Sequence, residues 1–472
     1  MALSVADGVM ETTAQTGVVI PSILFGNPGN KRTSGWQQAL QHHGQPAALE
    51  VSYARLLHAL RAGETLPEVL DSMSKRNWQR RQAEKSAAIM SAVSVGMATG
   101  APVSNIWMGS GTEPLLLRLD APGDNVAVER GLIALGATDA DDSLNDSLLP
   151  LPHQTVQGSI AAAAARRLEG QYGRILYPAQ WFRGYCRLLS WLQTEVERHL
   201  PQAQWMNAPA DIALMFDKRA CSLQLAAAGI AVPATLAGDA AEQMPLRSYD
   251  ELRQQMEQQR VYRVFVKLFC GSAASGVIAY QYQPRTGAEI AMTTIGKEQV
   301  GDETIFYNSG RLIRYTDHTD IRQVVDWIAA QGAHVERWVS KAALDGRVYD
   351  VRQLVCRSGT GHAVLRLSRT PITNLHLRNE RLLLADAGLS DALQSAIGST
   401  AQHALAAFPN SFCAGMDVLV PAGGGIPLIM DVNPFGDLLY HVQHQGLGTY
   451  AWELACWLQQ AGKGRTDDDK YE

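Results

Sequence analysis

The sequence lacks the features that mark membrane-spanning, secreted and nucleic-acid-binding proteins. No apolar run approaches the roughly 20 residues that a membrane-spanning helix needs. The first 16 residues carry two acidic and no basic side chains and have no apolar core, so they do not predict a signal peptide. The net charge of −5 argues against a broad nucleic-acid-binding surface. We therefore expect neither a membrane nor a nucleic acid as a partner.

Cysteine is scarce and is not spaced for metal binding. The six cysteines lie far apart, and none belongs to a Cys-x-x-Cys pair. Zinc sites and redox motifs usually need that close spacing. Isolated cysteines are typical of buried thiols in a reducing compartment, so a cytoplasmic protein is expected.

The first third of the chain alternates between apolar runs and helical segments. A chain of 472 residues is too long for one simple core. Within residues 17–150, apolar runs at 18–25 and 114–120 are each followed by a turn and then by a predicted helix, at 33–43 and 125–135 respectively. Strand, turn and helix in this order predict an α/β domain with a parallel sheet.

The rest of the chain is expected to be an α+β region that follows a helical connector. The connector covers 151–204, with helix predicted over 159–199, and the α+β region covers 205–460. Its short strands alternate with Gly and Asn, which is typical of antiparallel sheets. Strands are predicted at 263–268, 276–282, 288–295, 303–307, 311–315, 335–339, 348–356, 414–420 and 426–432, and helices at 217–228, 319–331 and 390–407.

Three oxygen-bearing side chains lie on two apolar strands near the C-terminus. Asp417 lies in the first strand, and Asp431 and Asn433 lie two positions apart in the second. Side chains two apart on a strand share a face, and the Gly-rich turn between the strands would bring Asp417 opposite them. Hard oxygen ligands with open positions for water and phosphate suit Mg²⁺. The competing interpretation is a solvent-facing polar surface, which the apolar neighbours disfavour.

A lysine and a small-residue loop form a second pattern. Lys267 lies in an apolar β-rich run, and Gly271 and Ser272 begin the loop that follows. Small residues let backbone N–H groups approach phosphate oxygens, and lysine adds positive charge. Most loops of this kind are only turns, and this one is not a Walker A loop because no Gly-Lys-Ser/Thr closes it.

Charged residues on later strands form two further patterns. Asp350 and Arg352 share a strand face, where an ion pair on a sheet surface is the simpler interpretation. Arg366 and Arg369 precede Asn374, and arginines near a phosphate site can bind an anionic intermediate.

Taken in order, these patterns resemble the ATP-grasp superfamily, with the branch of the ribosomal-protein glutamate ligase and bacterial glutathione synthetase the most similar. The resemblance covers roughly residues 205–440. It implies a pre-ATP-grasp α/β domain followed by a two-lobed ATP-grasp domain, with a central lobe at about 205–333 and a C-terminal lobe at about 334–460. The matching segments are Asp217-Lys218, 229–233, 266–277, 335–339, 350–355, 373–376, 415–420 and 429–434.

The resemblance also implies a role for each matching residue. Asp417, Asp431 and Asn433 would bind magnesium, or manganese in its place. Arg352 would stabilise the transferred phosphoryl group or the acyl phosphate. The arginine that the glutamate ligases usually carry just before the asparagine is absent here, so Arg366, Arg369 or Arg378 would have to take its place. ATP would be held by phosphate-binding lysines, the loop, the hinge strand and two further contacts, namely Lys218, Lys267, Gly271, Ser272, Glu336, Arg337, Trp338, Val339, Asp350 and Asn374.

The implied activity is that of a ligase that activates a carboxylate as an acyl phosphate. A small-molecule or peptide carboxylate would be joined to an amine or a thiol, and a homo-oligomer would be common in such families. A phosphotransferase and a nucleotide-binding regulatory protein without turnover are the alternatives. Asp431 stands where the family usually has Glu, and an insertion at roughly 280–330 looks like a hairpin and a helix, so the substrate is less defined than the nucleotide.

Two loops of the α/β region are candidate substrate contacts. One spans 26–30, and the other contains Arg118 and Asp120. Both follow predicted strands, where α/β domains bind ligands, and Arg118 is a candidate to hold a substrate carboxylate. Two ordinary turns are the simpler interpretation.

Overall fold

A computed structural model describes residues 19–74, 114–140, 158–170, 173–236, 246–271, 275–373 and 379–468, with side chains as far as residue 462. The described strands form three sheets. The first is parallel and belongs to the N-terminal part of the chain, and the other two are antiparallel. The second and third sheets carry most residues of the candidate site.

The N-terminal sheet is parallel and has the strand order β2-β1-β3-β4. Strands β1 and β3 are buried along their whole length, which explains their continuous apolar sequence. The strands are β1 (Ser22–Gly26), β2 (Leu49–Ser52), β3 (Leu116–Leu119) and β4 (Gln204–Trp205).

Helices cover this sheet and pack closely on one another. They are α1 (Lys31–His42), α2 (Tyr53–Ala62), α3 (Val126–Leu135), α4 (Ala162–Ala165) and α5 (Pro178–His199), with a further helical segment at 66–74. Helix α5 lies against α3 at two glycines. A Cβ on Gly136 would lie 1.8 Å from the Gln180 carbonyl oxygen, and one on Gly184 would lie 1.8 Å from that of Leu132. Only glycine permits this approach.

The second sheet is antiparallel, with the order β8-β7-β6-β5-β9. Helices α8 (Tyr249–Gln258) and α9 (His318–Gln331) pack on it through one apolar core. Its strands are β5 (Arg263–Leu268), β6 (Val277–Tyr282), β7 (Glu289–Val300), β8 (Glu303–Tyr315) and β9 (Ala333–Arg337).

The third sheet is also antiparallel, with the order β13-β12-β11-β14-β15 and with β10 paired to β11. Its strands are β10 (Ala343–Leu344), β11 (Arg347–Cys356), β12 (Gly359–Ser368), β13 (Glu380–Leu383), β14 (Cys413–Leu419) and β15 (Leu428–Asn433). The remaining helices are α6 (Pro209–Phe216), α7 (Lys218–Ala227), α10 (Asp391–Ala406) and α11 (Thr449–Asp468).

The predicted fold class is confirmed: a parallel α/β part precedes two antiparallel sheets. The expected hairpin and helix at 280–330 are β7, β8 and α9. Three predictions need correction. The helix expected over 159–199 is not continuous: α4 ends at Ala165 and α5 begins at Pro178. The two short strands expected at 303–307 and 311–315 are one strand, β8. Strand β12 was not predicted, because its buried arginine resembles a loop residue in the sequence.

The domain boundaries proposed from the sequence stay predictions. All six cysteines lie within the described residues, where each is buried and none forms a disulfide. In the described part of the chain, no helix is both long and apolar enough to cross a bilayer.

Candidate active site

The two candidate metal-binding aspartates face each other across a hairpin. Asp417 of β14 is the register partner of Asp431 of β15, as the strand period and the Gly-rich turn predict. Asn433 is opposite Gly415, and its side-chain Nδ2 donates to the Gly415 carbonyl oxygen at 3.0 Å. The amide oxygen of Asn433 is thereby the atom left to act as a ligand. Two carboxylates and one amide oxygen thus lie on neighbouring positions of one hairpin.

Three cations contact these carboxylates. Lys218 Nζ donates to Asp431 Oδ1 at 2.9 Å. The guanidinium of Arg352 lies 2.5 Å from Asp417 Oδ1, and that of Arg366 lies 3.1 Å from Asp417 Oδ2. Burial alone raises the pKa of Asp431, but Lys218 and Lys267 outweigh it and hold that pKa below its usual range. The carboxylate is therefore ionised at neutral pH, which is the form that binds a metal ion.

Lys267, the second lysine predicted to bind phosphate, lies in a buried ion pair. Strands β5 and β9 are neighbours, and Lys267 Nζ lies 2.8 Å from Glu336 Oε2. His334 Nε2 lies 2.9 Å from Glu336 Oε1. Burial tends to lower the pKa of Lys267 and raise that of Glu336, but the pair reverses both: the pKa of Lys267 is raised and that of Glu336 is lowered. The pair is charged, and its lysine lies close enough to Asp431 to interact with it electrostatically.

Asp350 links the arginines to a further lysine. Arg366 Nε donates to Asp350 Oδ1 at 2.7 Å, and Lys341 Nζ donates to Asp350 Oδ2 at 2.7 Å. Thr373 also donates to this carboxylate. Burial raises the pKa of Asp350, but Arg366 and Lys341 overcome it, so the net pKa lies below its usual range. The sequence predicted Asp350 as a nucleotide contact; here it holds two cations beside Asp417.

The predicted hinge strand is paired on both sides. The Arg337 N–H donates to the Ala234 carbonyl oxygen at 2.8 Å, and the Trp338 N–H donates to that of Arg263 at 3.1 Å. The Trp338 ring packs beside Phe265, with ring centroids 5.1 Å apart. Among the described backbone hydrogen bonds, none involves the Val339 N–H. Of the hinge amides, Val339 is therefore the one placed to bind a ligand.

A small cleft lies between the second and third sheets, and three of the charged residues described above are in its wall, namely Lys218, Glu336 and Asp431. Its walls include Lys218, Leu225, Pro233, Glu336, Ile429 and Asp431. The cleft thus has apolar side chains at one part and charged groups at another.

Some predicted residues lie apart from this cluster or outside the described chain. Ser272 and Asn374 fall outside the described residues. Gly271 lies in the turn after β5, where a Cβ would approach the Ser275 carbonyl oxygen to 2.6 Å. Arg369 is exposed beyond the end of β12, and no described contact joins it to the carboxylates.

The structure places Arg118 and Asp120 differently from the prediction. Arg118 lies within β3 and not in the loop that follows it, and it is 2% exposed. Its Nη1 donates to Glu453 Oε2 at 3.0 Å, and its guanidinium lies against the rings of Trp36 and Tyr450. Asp120 is wholly buried. Helix α11 covers both residues, and the local sequence gives no sign of that cover.

Several residues of the cluster were missed by sequence reasoning. His334 was detectable, because it shares a strand face with Glu336. Lys341 carries no local signal, since only the fold brings it to Asp350. Thr373 begins the matching segment 373–376 but had been given no role of its own. Asp437 lies 2.8 Å from Arg352 Nε and likewise had no signal.

The donor set fits a hard divalent cation that takes further ligands from elsewhere. Among the described residues, no group of three or more His, Cys, Asp and Glu side chains could hold a metal ion. The hairpin instead offers two carboxylates and one amide. Mg²⁺ is commonly bound by one or two carboxylates together with waters and phosphate oxygens. The set therefore suits magnesium that arrives with a nucleotide.

The chain is similar to solved structures of ATP-grasp ligases. One is D-alanine–D-alanine ligase from Bacillus anthracis complexed with ATP, at 12% identity and a TM-score of 0.36, covering 59% of this chain and 76% of that one. Another is the ATP-grasp ligase PsnB complexed with minimal precursor, Mg and ADP, at 12% identity and a TM-score of 0.43, covering 94% of this chain and 98% of that one. D-cycloserine synthetase DcsG has 14% identity and a TM-score of 0.35, covering 56% of this chain and 77% of that one.

No protein-family model and no curated protein matches the chain. The structural likenesses have TM-scores below 0.5 and low identity. The function of this protein is therefore inferred from the geometry of its site.

Proposed function

We propose that this protein is an ATP- and magnesium-dependent ligase that joins a carboxylate to an amine or a thiol through an acyl phosphate. The observation that carries the proposal is the pairing of Asp417 and Asp431 in register, with Lys218, Arg352 and Arg366 on their oxygens. Alternating carboxylates and cations at one edge of a cleft can bind both the metal and the phosphates of MgATP.

Each group has a separate task in this proposal. Lys218 and Lys267 would bind the phosphate oxygens, because both ammonium groups lie near Asp431. The hinge beside the apolar part of the cleft would hold adenine through the Val339 backbone. Asp417, Asp431 and Asn433 would hold magnesium. Bound magnesium would neutralise charge on the phosphates while phosphoryl transfer takes place.

The reaction would proceed in two displacements. A substrate carboxylate oxygen attacks the γ-phosphorus of ATP; the bond to the ADP oxygen breaks and an acyl phosphate forms. The nucleophile then attacks the acyl carbon, the carbon–oxygen bond to phosphate breaks, and the nucleophile loses a proton. Arg352 would bind the transferred phosphoryl group, since its side chain is 15% exposed, whereas that of Arg366, the other arginine beside Asp417, is 4% exposed. The protein mainly positions the reactants and excludes water, because an acyl phosphate hydrolyses readily.

The first test is ATP turnover against candidate acids and nucleophiles. Purified protein with magnesium and ATP would be supplied with pooled amino acids, dipeptides and small carboxylic acids, and release of ADP and phosphate would be followed. We expect turnover that depends on one pool, with the nucleophile found in the product. Product that contains phosphate and no nucleophile would instead identify a phosphotransferase.

A matched pair of variants tests the assigned site. Asp431→Ala should lower turnover about 1000-fold, the order of effect expected when a metal ligand is removed. Asp320→Ala is the control, because Asp320 also pairs with a lysine, Lys297, at 2.6 Å but lies outside the cluster. Equal turnover in the two variants would refute the assigned metal site. If the wild-type protein fails to bind MgATP in calorimetry, the proposed function is wrong.

A further inference from the structure

Arg352 is held at both ends of its guanidinium. Its Nη1 lies 2.5 Å from Asp417 Oδ1, and its Nε lies 2.8 Å from Asp437 Oδ2. Its side chain is 15% exposed and that of Asp437 is 19% exposed, so solvent reaches part of the pair. Arg352, the arginine proposed to bind phosphate, thus contacts both Asp437 and the candidate metal ligand Asp417.

The turn that carries Asp437 is fixed by other parts of the chain. Asn207 Nδ2 donates to the Pro434 carbonyl oxygen at 2.5 Å, and Arg32 Nη1 donates to that of Phe435 at 3.1 Å. Gly436 adopts a φ of +61°, and a Cβ there would lie 2.1 Å from Glu453 Oε1. Asp437 Oδ1 accepts a hydrogen bond from the Leu438 N–H at 2.6 Å. The carboxylate therefore has a fixed position relative to Arg352.

Asp417 has an arginine guanidinium within 3.1 Å of each of its oxygens, and these two positive charges oppose the binding of a metal ion there. Arg366 is poorly suited to withdraw, because its side chain is 4% exposed and its Nε is bound to Asp350. Arg352 can turn about its Nε contact while Asp437 keeps its charge compensated. If Arg352 left Asp417 and had no second carboxylate beside it, its charge would be uncompensated and the desolvation cost would be large.

We propose that Asp437 is a positioning residue, which retains Arg352 when its Nη1 leaves Asp417 and so frees Asp417 for the metal ion and directs the guanidinium toward the phosphoryl group. The inference rests on the proposed function. It assigns to Asp437 a role that operates only through Arg352. Its removal should therefore have no effect once Arg352 is absent.

The test is a double-mutant cycle on metal binding, which requires no turnover. Mn²⁺ affinity would be measured with a non-hydrolysable ATP analogue for the wild type, Asp437→Asn, Arg352→Met and the double variant. We expect Asp437→Asn to weaken Mn²⁺ binding about tenfold, equivalent to about 1.4 kcal/mol, because Arg352 then stays on Asp417. In the Arg352→Met background the same change should have no effect, which is strong non-additivity.

Two further measurements separate positioning from a structural role. Asp437→Glu keeps the carboxylate and should recover part of the Mn²⁺ affinity, and thermal unfolding should show that all variants fold. In turnover, Asp437→Asn should lower kcat about 10- to 100-fold, the range for residues that orient a ligand-binding group, with little change in KM for ATP. Arg352→Lys serves as a second background if Arg352→Met does not fold.

The outcomes distinguish this inference from the proposed function. Equal effects of Asp437→Asn in both backgrounds, or no effect in either, would overturn the role of Asp437 and leave the ligase proposal standing. A wild-type protein that binds neither the analogue nor Mn²⁺ would overturn both.

Discussion

Two clusters of carboxylates and cations lie close together in this molecule and behave differently. One, the hairpin cluster, consists of Lys218 and Asp431 in the wall of the cleft, together with Arg352, Arg366 and Asp417. The other, the crevice cluster, lies at the carboxyl edge of the parallel sheet and consists of Arg32, Arg118, Asp120 and Glu453. Both contain arginines and acids in similar numbers.

The two clusters differ in the distances between their aspartates and the nearest cations. They also differ in the direction in which carboxyl pKa values are shifted. In the hairpin cluster every ion pair is 2.5–3.1 Å long, and the pKa of Asp431 is lowered. In the crevice cluster Asp120 is 4.0 Å from either arginine, and neither of its oxygens has a hydrogen-bond partner among the described residues. Burial raises the pKa of Asp120, and it raises that of Glu453 to about 7 against the opposing effect of Arg118.

The difference shows that residue type does not decide what a buried carboxylate does. Close lysines keep Asp431 ionised, whereas burial favours protonation of Asp120 and Glu453. The crevice cluster therefore contributes mainly to the packing of α11 on β3, and its effect should be seen in stability. The hairpin cluster should affect activity with little effect on stability.

The largest expected effect on stability follows removal of the crevice arginine. Arg118→Met keeps much of the side-chain volume between Trp36 and Tyr450 but leaves Glu453 buried without its cation. We expect a loss of about 3–5 kcal/mol in the free energy of unfolding at pH 8, measured by urea denaturation. The loss should shrink toward pH 5, where Glu453 is protonated.

The double variant Arg118→Met/Glu453→Gln is the control for this prediction. It removes both charges, so much of the stability should return, because a neutral pair costs less to bury than a lone charge. A double variant as unstable as Arg118→Met would show that the arginine acts through packing and not through charge.

In the hairpin cluster, Lys218→Met should lower turnover strongly and change the free energy of unfolding little. Turnover should fall about 100-fold, because a phosphate-binding charge is lost. The free energy of unfolding should change by about 1 kcal/mol or less, since the Lys218–Asp431 pair is partly exposed. Steady-state kinetics and thermal unfolding measure the two effects separately.

Lys297→Met is the matched control for Lys218→Met. Lys297 also pairs with an aspartate, and its side chain is 18% exposed against 15% for Lys218. It should leave turnover unchanged. A comparable loss of turnover in both variants would remove the distinction between the hairpin cluster and an ordinary surface ion pair.

The hairpin cluster was largely predictable from the sequence, because its geometry is local. A two-residue strand period and a short Gly-rich turn are enough to place Asp417 opposite Asp431. Arg352 is the register partner of Asp417, but this contact depends on the pairing of β11 with β14, which the sequence did not predict.

The crevice cluster was not predictable, because its geometry depends on distant parts of the chain. Arg118 and Glu453 are 335 positions apart, and nothing near Asp120 indicates that α11 will cover it. The same limit explains the missed β12: Arg366 looks exposed in the sequence, whereas Asp350 and Asp417 neutralise it within the sheet.

The pH dependence of stability gives a smaller effect. The folded-state pKa of Glu453 is about 7, above the ordinary value of 4.5, so the folded protein holds a proton between these values that the unfolded chain has lost. The stability from this proton is fully present below pH 4.5 and is lost as the pH rises through 7. The loss between pH 5 and 8 should be of order 1–3 kcal/mol.

Glu453→Gln tests the source of this pH dependence. Glutamine does not titrate, so the decline in the thermal midpoint between pH 5 and 8 should become shallower in the variant. Arg118, Asp120, Tyr450 and Arg32 surround Glu453 and remain unchanged in this comparison. An equally steep decline in the variant would assign the titration to Asp120 or to another group.

The smallest expected effect concerns Gly436, which lies where the two clusters meet. Its φ of +61° disfavours any residue with a Cβ, and in addition a Cβ there would lie 2.1 Å from Glu453 Oε1. Gly446 has a φ of +76° but no heavy atom within 4 Å of its Cβ position. The difference in unfolding free energy between Gly436→Ala and Gly446→Ala therefore isolates the contact with Glu453, and we expect it to be about 1 kcal/mol.

Gly436→Ala should also weaken Mn²⁺–nucleotide binding, because the displaced turn carries Asp437 away from Arg352. Equal stability and equal binding in the two variants would mean that the clusters act independently.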